Sequence, residues 1–407
     1  MKVFRSLLFL WYILFPFFSR GSQFTHEYNP VASIAKIPFT YHDGFIIVDV
    51  TLARVFPLRF ILDTGSEHSL LLKREYIDIL RLPSSRKVTL LGADLKTEIS
   101  ARVYPKISIQ VGDGLAQFQD VIVPDEYILP LEEMLGVRID GILGASYFQN
   151  MSLDIDYRKK ILTIANAGAI PKIPDKWESI PLRVYKNKPY IKAEVPEIFK
   201  DTIHKNLLLD TGASLSLVLQ YIQNPEDTTT AGMVKSFWGK GLGGEMEGFG
   251  SETDVNLKEG HTFKDVFVCL QELDSLQWAF SEKDGLIGNL LLEQFGRICF
   301  DFSHQIFYYK PLKKQHSKKK MERSDVIVYA YGSGLRQYYV HAVAEQSVAW
   351  SSGLRPGDII LRIGSIPASW FKLTSLMKKM NHFTTGHIKI KVNQAGNIKN
   401  LIIQSGL

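Results

Sequence analysis

The chain has 407 residues, of which 45% are hydrophobic and 22% charged; this length predicts two or three domains, and the composition excludes an intrinsically disordered protein. The formal net charge of +6 falls to +3 without the three cations of the first 20 residues, and five of the remaining cations lie between positions 313 and 320. The folded parts are therefore nearly neutral, which argues against a nucleic-acid-binding protein.

Residues 1–22 have the pattern of a signal peptide. Lys2 and Arg5 precede an apolar run at positions 7–15, and small residues follow at positions 19, 21 and 22. This pattern predicts export to the periplasm or the cell exterior. Because the run is short for a membrane span, an uncleaved N-terminal anchor that associates with a membrane is the alternative.

Residues 34–164 predict a first all-β domain. Short apolar or alternating runs recur between Gly, Pro and Asp residues at strand-like intervals, and residues 75–82 form the best helical segment. One apolar strand, Phe60-Ile61-Leu62, ends abruptly on Asp63-Thr64-Gly65-Ser66. This pattern places the carboxylate of Asp63 at the end of the strand, where the backbone turns sharply.

The same plan returns in residues 177–311, after a linker at 165–176. Here an apolar strand ends on Asp210-Thr211-Gly212-Ala213. Later in each half an Asp precedes an apolar segment bounded by glycines, at Asp140 and at Asp284. The separation between the two landmarks is 77 residues in the first half and 74 in the second. We interpret this as an internal duplication.

Two smaller sets of residues give weaker signals. Asp154, Asp156 and Asp301 lie in alternating segments, so we expect them to be exposed. Cys269 and Cys299 are the cysteines of the chain. Export would permit a disulfide between them, but two buried free thiols fit the sequence equally well.

The C-terminal part begins after a polar, basic linker at residues 312–324. Residues 325–407 alternate again as strands, with a helix expected at Leu373–Met380. Gly353-Leu354 and Gly357-Asp358 belong to a turn that leads into an apolar strand and a second turn. A third domain, mostly β with one or two helices, is predicted.

Two aspartates at the ends of buried strands suggest a specific chemistry. If the halves pack about a pseudo-twofold axis, the two carboxyl groups meet, cannot both ionise comfortably and share a proton. The ionised member can then take a proton from water, while the protonated member hydrogen-bonds to a carbonyl that the water attacks. In aspartic proteases two Asp carboxyl groups share one proton in this way.

With both motifs in view, residues 34–311 resemble an aspartic protease of the pepsin and retropepsin clan with two tandem β-barrel lobes. The resemblance implies that Asp63 and Asp210 are catalytic and that Thr64 and Thr211 bridge the lobes. The other supporting residues it implies are Gly65, Ser66, Gly212 and Ala213. A Ser66 hydroxyl could donate to the neighbouring carboxylate and favour charge on Asp63, whereas Ala213 cannot.

Such proteases close a glycine-containing hairpin over the substrate. The first half offers Gly92 for this flap, and the second half offers a richer segment. Its candidate residues are Trp238, Gly241, Gly243 and Gly244. Which lobe supplies the flap stays open, with a preference for the second.

Residues 325–407 resemble a PDZ domain through the Gly353-Leu354 and Gly357-Asp358 pattern. Such domains add an extended peptide, often a C-terminus, to a sheet edge. The resemblance makes Gly334 and Leu335 candidates for peptide binding, although their loop matches the pattern poorly. A purely structural module is the alternative.

Together these features predict an exported, monomeric aspartic endopeptidase that acts on proteins or peptides without metal or cofactor. The C-terminal domain would bind a peptide or a partner. The alternative is a catalytically silent peptide-binding or scaffold protein of the cell envelope.

Overall fold

The computed structural model of the protein describes residues 34–92, 94–127, 130–166, 173–195, 204–222, 235–241, 244–258, 261–311, 326–345, 347–381 and 386–404. Strands in several sheets dominate these residues, and the helices are short. The chain is therefore an all-β protein, as the spacing of its apolar runs predicts. None of the helices in these ranges is long and apolar enough to cross a membrane.

The first lobe, defined here as residues 34–166, contains two short helices, a 3₁₀ turn at Ala145–Phe148 and a series of strands. The helix predicted at residues 75–82 forms over six residues. The elements are β1 (Ile34–Pro38), β2 (Thr40–His42), β3 (Phe45–Leu52), β4 (Phe56–Asp63), β5 (Ser69–Leu71), α1 (Glu75–Leu80), β6 (Arg86–Leu91), β7 (Glu98–Val111), β8 (Gln117–Pro124), α2 (Leu131–Leu135), β9 (Gly141–Gly144), β10 (Met151–Asp156) and β11 (Ile161–Asn166).

The second lobe, residues 178–309, repeats this pattern, with a 3₁₀ turn at Glu293–Phe295. Its elements are β12 (Glu178–Pro181), β13 (Arg183–Tyr185), β14 (Lys188–Glu194), β15 (His204–Asp210), β16 (Leu217–Ile222), β17 (Lys235–Gly241), β18 (Gly244–Lys258), β19 (His261–Leu273), α3 (Ser275–Phe280), β20 (Gly285–Gly288), α4 (Asn289–Leu292), β21 (Arg297–Asp301) and β22 (Ile306–Tyr309).

The C-terminal domain, residues 326–404, has its own sheet, a 3₁₀ turn at Ala368–Trp370 and a separate apolar core. The helix expected at residues 373–380 is present and one residue longer. The elements are β23 (Val326–Tyr331), β24 (Gln337–Val343), α5 (Val348–Ser351), β25 (Ile359–Ile363), β26 (Ile366–Pro367), α6 (Leu373–Asn381), β27 (His387–Gln394) and β28 (Asn397–Gln404).

The two lobes have eight-stranded sheets with the same strand order. The first is β2-β3-β4-β9-β5-β8-β7-β6, and the second is β13-β14-β15-β20-β16-β19-β18-β17. Each strand of the first sheet thus has a counterpart at the same place in the second. The internal duplication inferred from the spacing of the motifs is therefore a duplication of the whole sheet.

The two Asp landmarks of each lobe lie on neighbouring strands. In the first lobe Asp140 precedes β9; its amide donates to Arg59 O at 2.8 Å and its carboxylate accepts from Arg59 N at 3.0 Å. In the second lobe Asp284 makes the same two bonds with Asn206, at 3.0 and 2.7 Å. Each landmark thus starts the strand that runs parallel to the one ending in Asp63 or Asp210.

A six-stranded sheet, in the order β1-β11-β10-β21-β22-β12, joins the lobes through the antiparallel pair β10 and β21. Most residues of its central strands are buried on both faces. The expected exposure is therefore wrong for Asp154 and Asp301, which are each 1% exposed, while Asp156 is half-buried. Alternation alone did not reveal that this sheet is covered on both sides.

The buried aspartates of this sheet have partners. Arg297 donates to the carboxylate of Asp154 from Nε at 2.9 Å and from Nη2 at 2.9 Å, and Trp177 covers the guanidinium. Asp301 accepts the backbone amide of His304 at 3.0 Å and contacts its ring Nδ1 at 2.9 Å. An ionised group can stay out of water only with such compensation.

The lobes also share one apolar core. It includes Phe148 from the first lobe and Phe300 and Phe307 from the second, all fully buried.

Cys269 in β19 and Cys299 in β21 are buried free thiols. Of the two alternatives left open by the sequence, a disulfide or two free thiols, the structure therefore has the second.

The C-terminal domain packs on the first lobe. Its edge strand β23 lies against α2, and Tyr339 contacts Glu133 of that helix, with 3.2 Å between the hydroxyl and Oε2. Gly136, directly after α2, has a φ of +63°, and a Cβ there would lie 2.7 Å from the Cβ of Leu373. A glycine at position 136 thus allows both the end of the helix and the close approach of the domain.

We expect the substitution R297M to lower the free energy of unfolding by about 3–5 kcal/mol, because it leaves the carboxylate of Asp154 buried without a partner. Urea unfolding measures the change. The matched control is K159M, which removes an exposed cation from the turn after β10 and should change the free energy by less than ~0.5 kcal/mol. Equal effects of the two substitutions would contradict the role given to Arg297.

Candidate active site

Asp63 and Asp210 end equivalent strands, β4 and β15. Each is aligned with the last glycine of the parallel neighbour, Asp63 with Gly144 and Asp210 with Gly288. Both aspartates are half-buried. The local pattern of an apolar strand followed by Asp, Thr and Gly thus forms the same turn twice.

The structure brings the two carboxyl groups together at the boundary between the lobes. A Cβ on Gly212 would overlap the carboxyl group of Asp63, and a Cβ on Gly65 would overlap that of Asp210. Each carboxyl group therefore lies against the turn of the opposite lobe, and the two groups are close enough for the charge of Asp210 to raise the pKa of Asp63. The glycines are required because any side chain would occupy the space of the opposite carboxyl group.

Thr64 and Thr211 connect the two turns by a reciprocal set of hydrogen bonds. The hydroxyl of Thr64 donates to Leu209 O at 2.6 Å and accepts the amide of Thr211 at 3.0 Å. The hydroxyl of Thr211 donates to Leu62 O at 2.9 Å and accepts the amide of Thr64 at 3.1 Å. Both threonines are fully buried, so the bridging role implied by the resemblance matches the geometry.

The two carboxylates accept different numbers of hydrogen bonds from backbone amides. Oδ1 of Asp63 accepts the amides of Gly65 at 2.8 Å and Ser66 at 3.0 Å. Oδ1 of Asp210 accepts the amide of Gly212 at 2.9 Å. The amide of Ala213 instead faces the backbone carbonyl of Asp210, at 3.5 Å.

The expected donation from the Ser66 hydroxyl to the carboxylate is wrong. The hydroxyl donates to His68 O at 2.8 Å, and only the amide of Ser66 reaches Asp63. Burial, followed by the charge of Asp210, raises the pKa of Asp63 to about 8 against the opposing effect of the two amides. The pair therefore keeps a proton at neutral pH, and the Ser66 hydroxyl does not favour charge on Asp63.

Several contacts around the turns escaped the sequence analysis. Ser214 donates to Asp43 O at 2.5 Å, and Asn289 donates from Nδ2 to Gly44 O at 2.7 Å. Tyr157 donates to the Oδ1 of Asn289 at 2.6 Å. An alignment of the two repeats would have pointed to Asn289, because it follows Gly288 at the position where the first lobe has Ala145 after Gly144.

A cation also lies near the pair. Lys283 is half-buried, and its pKa is lowered, chiefly by burial, against the opposing effect of the charges of Asp210 and Asp63. A positive charge here favours an ionised carboxylate in the pair. The corresponding residue of the first lobe is Ile139, which is 1% exposed, so this feature belongs to one lobe.

Both lobes have a hairpin at the position expected for a flap. In the first lobe Gly92 directly follows β6, and the tip contacts the second lobe, where Gln277 Nε2 donates to Asp94 O at 2.6 Å. In the second lobe Trp238 lies at an irregularity in the pairing of β17 with β18, and Gly241 and Gly244 end and begin these strands. Gly243 lies outside the described residues. The structure thus describes a contact between the first-lobe hairpin and the opposite lobe.

Gly334 and Leu335 lie in the loop between β23 and β24. Gly334 is exposed, and the amide of Leu335 donates to Gly332 O at 3.0 Å, so this amide is already used. Strand β23, at the edge of its sheet, contacts α2 of the first lobe.

No protein-family model matches the chain, and no curated protein matches it. Among solved structures it is similar to the crystal structure of basic 7S globulin from soybean. The identity is 11%, the match covers 70% of this chain and 97% of the other, and the TM-score is 0.41.

We expect T64V and T211V each to lower the free energy of unfolding by about 2–4 kcal/mol, because each leaves a buried amide and a buried carbonyl of the opposite lobe without a partner. Urea unfolding again provides the measurement. T163V is the control, since Thr163 is buried in the interlobe sheet and its hydroxyl has no hydrogen bond to another described residue. A loss of the same size in T163V would argue against the bridge.

Stability should fall as the pH rises from about 4 to about 8. The pKa of an aspartate is about 3.9 in an unfolded chain, whereas that of Asp63 is about 8 in the folded protein. Between these values the folded state holds a proton that the unfolded state releases, so each increase in pH favours unfolding. Urea unfolding at pH 5 and pH 8 should show a smaller difference for D63N than for the unsubstituted protein. An unchanged difference would contradict the raised pKa.

Proposed function

We propose that the protein is an aspartic endopeptidase that hydrolyses peptide bonds with a water activated by Asp63 and Asp210. The single observation that supports this most is the packing of each carboxyl group against the glycine turn of the opposite lobe. Two carboxyl groups that share a proton can act as acid and base in the same step. In this proposal the lobes are aspartic protease lobes of the pepsin and retropepsin clan.

The reaction would proceed in two proton-balanced steps. The ionised carboxylate removes a proton from water while the water oxygen bonds to the peptide carbonyl carbon, and the protonated carboxyl gives its proton to the carbonyl oxygen. In the resulting diol, the carboxyl that gained the water proton passes it to the peptide nitrogen. The C–N bond then breaks, and the other carboxylate recovers a proton from a diol hydroxyl, which restores the starting state.

The residues around the pair would support this cycle. The threonine bridge fixes the distance between the two turns, and the amides of Gly65, Ser66 and Gly212 hold the carboxylates in orientation. Preorganised groups of this kind need no rearrangement as charge develops. Lys283 favours the ionised state of one member, and the first-lobe hairpin would close the cleft.

The C-terminal domain would act as a PDZ-like peptide-binding module, and the N-terminal segment would export the protein. An extended peptide would add to the edge of β23, next to α6. Since α2 of the first lobe lies against this strand, a bound peptide would loosen the domain from the protease lobes.

D63N and D210N should each lower the rate of hydrolysis of an unfolded protein substrate by at least about 100-fold, because each removes one of the two proton-transfer groups. Activity is measured from pH 3 to pH 9. The unsubstituted enzyme should lose activity above about pH 8, where Asp63 gives up the shared proton. D156N is the control, because the Asn oxygen can still accept the amide of Lys159 that Asp156 binds at 2.9 Å.

Hydrolysis that persists in both D63N and D210N would reject the mechanism. Binding of the same substrate by the unsubstituted protein without any cleavage would instead support the catalytically silent scaffold. Release of fragments and binding are measured separately, so the two outcomes are distinct.

A further inference from the structure

The described residues at the tip of the β6–β7 hairpin, 92 and 94–97, are joined by hydrogen bonds. Oδ1 of Asp94 accepts the amides of Lys96 at 3.1 Å and Thr97 at 3.0 Å, and Oδ2 accepts the hydroxyl of Thr97 at 2.6 Å. The amide of Gly92 donates to Thr97 O at 2.8 Å. The carboxylate of Asp94 is thus used inside the tip, which leaves its backbone carbonyl for an external donor.

That donor is Gln277, in α3 of the second lobe. Its Nε2 donates to Asp94 O at 2.6 Å, across 183 residues of sequence, and its side chain is only 6% exposed. A buried amide that reaches from one lobe to the tip of a hairpin in the other is a specific contact, because either group would be left unsatisfied without it.

The helix fixes which end of the Gln277 amide faces the hairpin. Oε1 accepts the amide of Asp274 at 2.8 Å, and Asp274 Oδ1 accepts the amides of Leu276 at 3.0 Å and Gln277 at 2.8 Å. This is a capping box, in which the third helical residue binds back to the N-cap amide. Since Oε1 is taken by a donor, the NH₂ group has to point toward the hairpin.

A second contact joins the same elements but is weaker. Lys96 Nζ lies 3.5 Å from Asp274 Oδ2, and the two side chains are 62% and 54% exposed. Exposed ion pairs of this kind contribute little to stability and are screened by salt. The attachment of the tip therefore depends mainly on Gln277.

We propose that Gln277 is a positioning residue that latches the first-lobe hairpin to the second lobe and keeps the candidate lid closed in the resting protein. In this proposal, a polypeptide that enters between the lobes breaks this hydrogen bond. The role of the latch in catalysis rests on the proposed function, whereas the latch itself does not.

The substitution Q277E tests the latch without removing the capping box. The introduced carboxylate keeps an oxygen for the amide of Asp274 but, when ionised, has no proton to donate to Asp94 O. In the full chain with K96C, a bimane label at position 96 reports the lid. Lys96 contacts Asp274, and Trp278 lies one helical turn after Asp274, so we expect Trp278 to quench the label when the lid is closed. The native thiols Cys269 and Cys299 are buried and do not compete for the label.

At pH 7 we expect Q277E to increase the open fraction about fivefold, the factor that corresponds to the loss of one ordinary hydrogen bond. At pH 4 protonation of the introduced carboxylate restores an O–H donor, so the emission should return toward that of the unsubstituted protein. The control is Q294E, because Gln294 Nε2 donates to Leu290 O within its own lobe, at 3.4 Å, and its emission should not change.

Equal emission at pH 7 from the labelled K96C protein with and without Q277E would overturn the proposal. An emission that rises and stays high at pH 4 would overturn it as well, since damage to α3 rather than the lost donor would then be the cause. The label reports the lid without catalysis. If the protein shows the reversible change in emission but has no peptidase activity, the latch is supported and only the proposed function is rejected.

Discussion

The site depends on one constraint, the reciprocal hydrogen bonding of Thr64 and Thr211. Each hydroxyl binds both an amide and a carbonyl of the opposite lobe, so neither turn can move without breaking buried bonds to the other. The bonds also fix how closely the backbones approach, and at that distance only glycine fits at positions 65 and 212. The raised pKa of Asp63 follows from the same closeness, because burial and the neighbouring carboxylate both disfavour its charge.

Sequence reasoning found the residues whose position follows from a local pattern. The strand that ends on Asp, Thr and Gly forms the same turn wherever it occurs, and its repetition with a second landmark predicted the pairing of Asp63 with Asp210. It did not predict properties that depend on contacts with the opposite lobe. Asp154 looks like an exposed position until the second lobe supplies Arg297 and covers the sheet. Gln277 was not singled out from the sequence, and only the fold shows that it both completes the capping box of α3 and donates to the hairpin of the other lobe.

The C-terminal domain is connected to the lobes by a continuous series of contacts. Strand β23 lies against α2, whose Leu131 and Leu135 belong to an apolar cluster of the first lobe. His42 donates from Nε2 to Leu135 O at 2.8 Å. The carbonyls of Asp43 and Gly44, which follow His42, accept hydrogen bonds from Ser214 and Asn289 of the second lobe. The helix α2 is thus both the support of the C-terminal domain and a wall of the first lobe, although its sequence shows only a short amphipathic segment.

The six-stranded sheet has a consequence for the order of folding. Its central pairing aligns Ser152 with Asp301, so the chain must close a loop of almost 150 residues to form it. Contacts of such long range are costly in chain entropy and slow to form. During synthesis, strand β10 can pair early with β11 of its own lobe. Its other edge has no partner strand, and Asp154 has no Arg297, until the second lobe is nearly complete. The duplication that creates the site therefore also makes the first lobe a late-maturing unit.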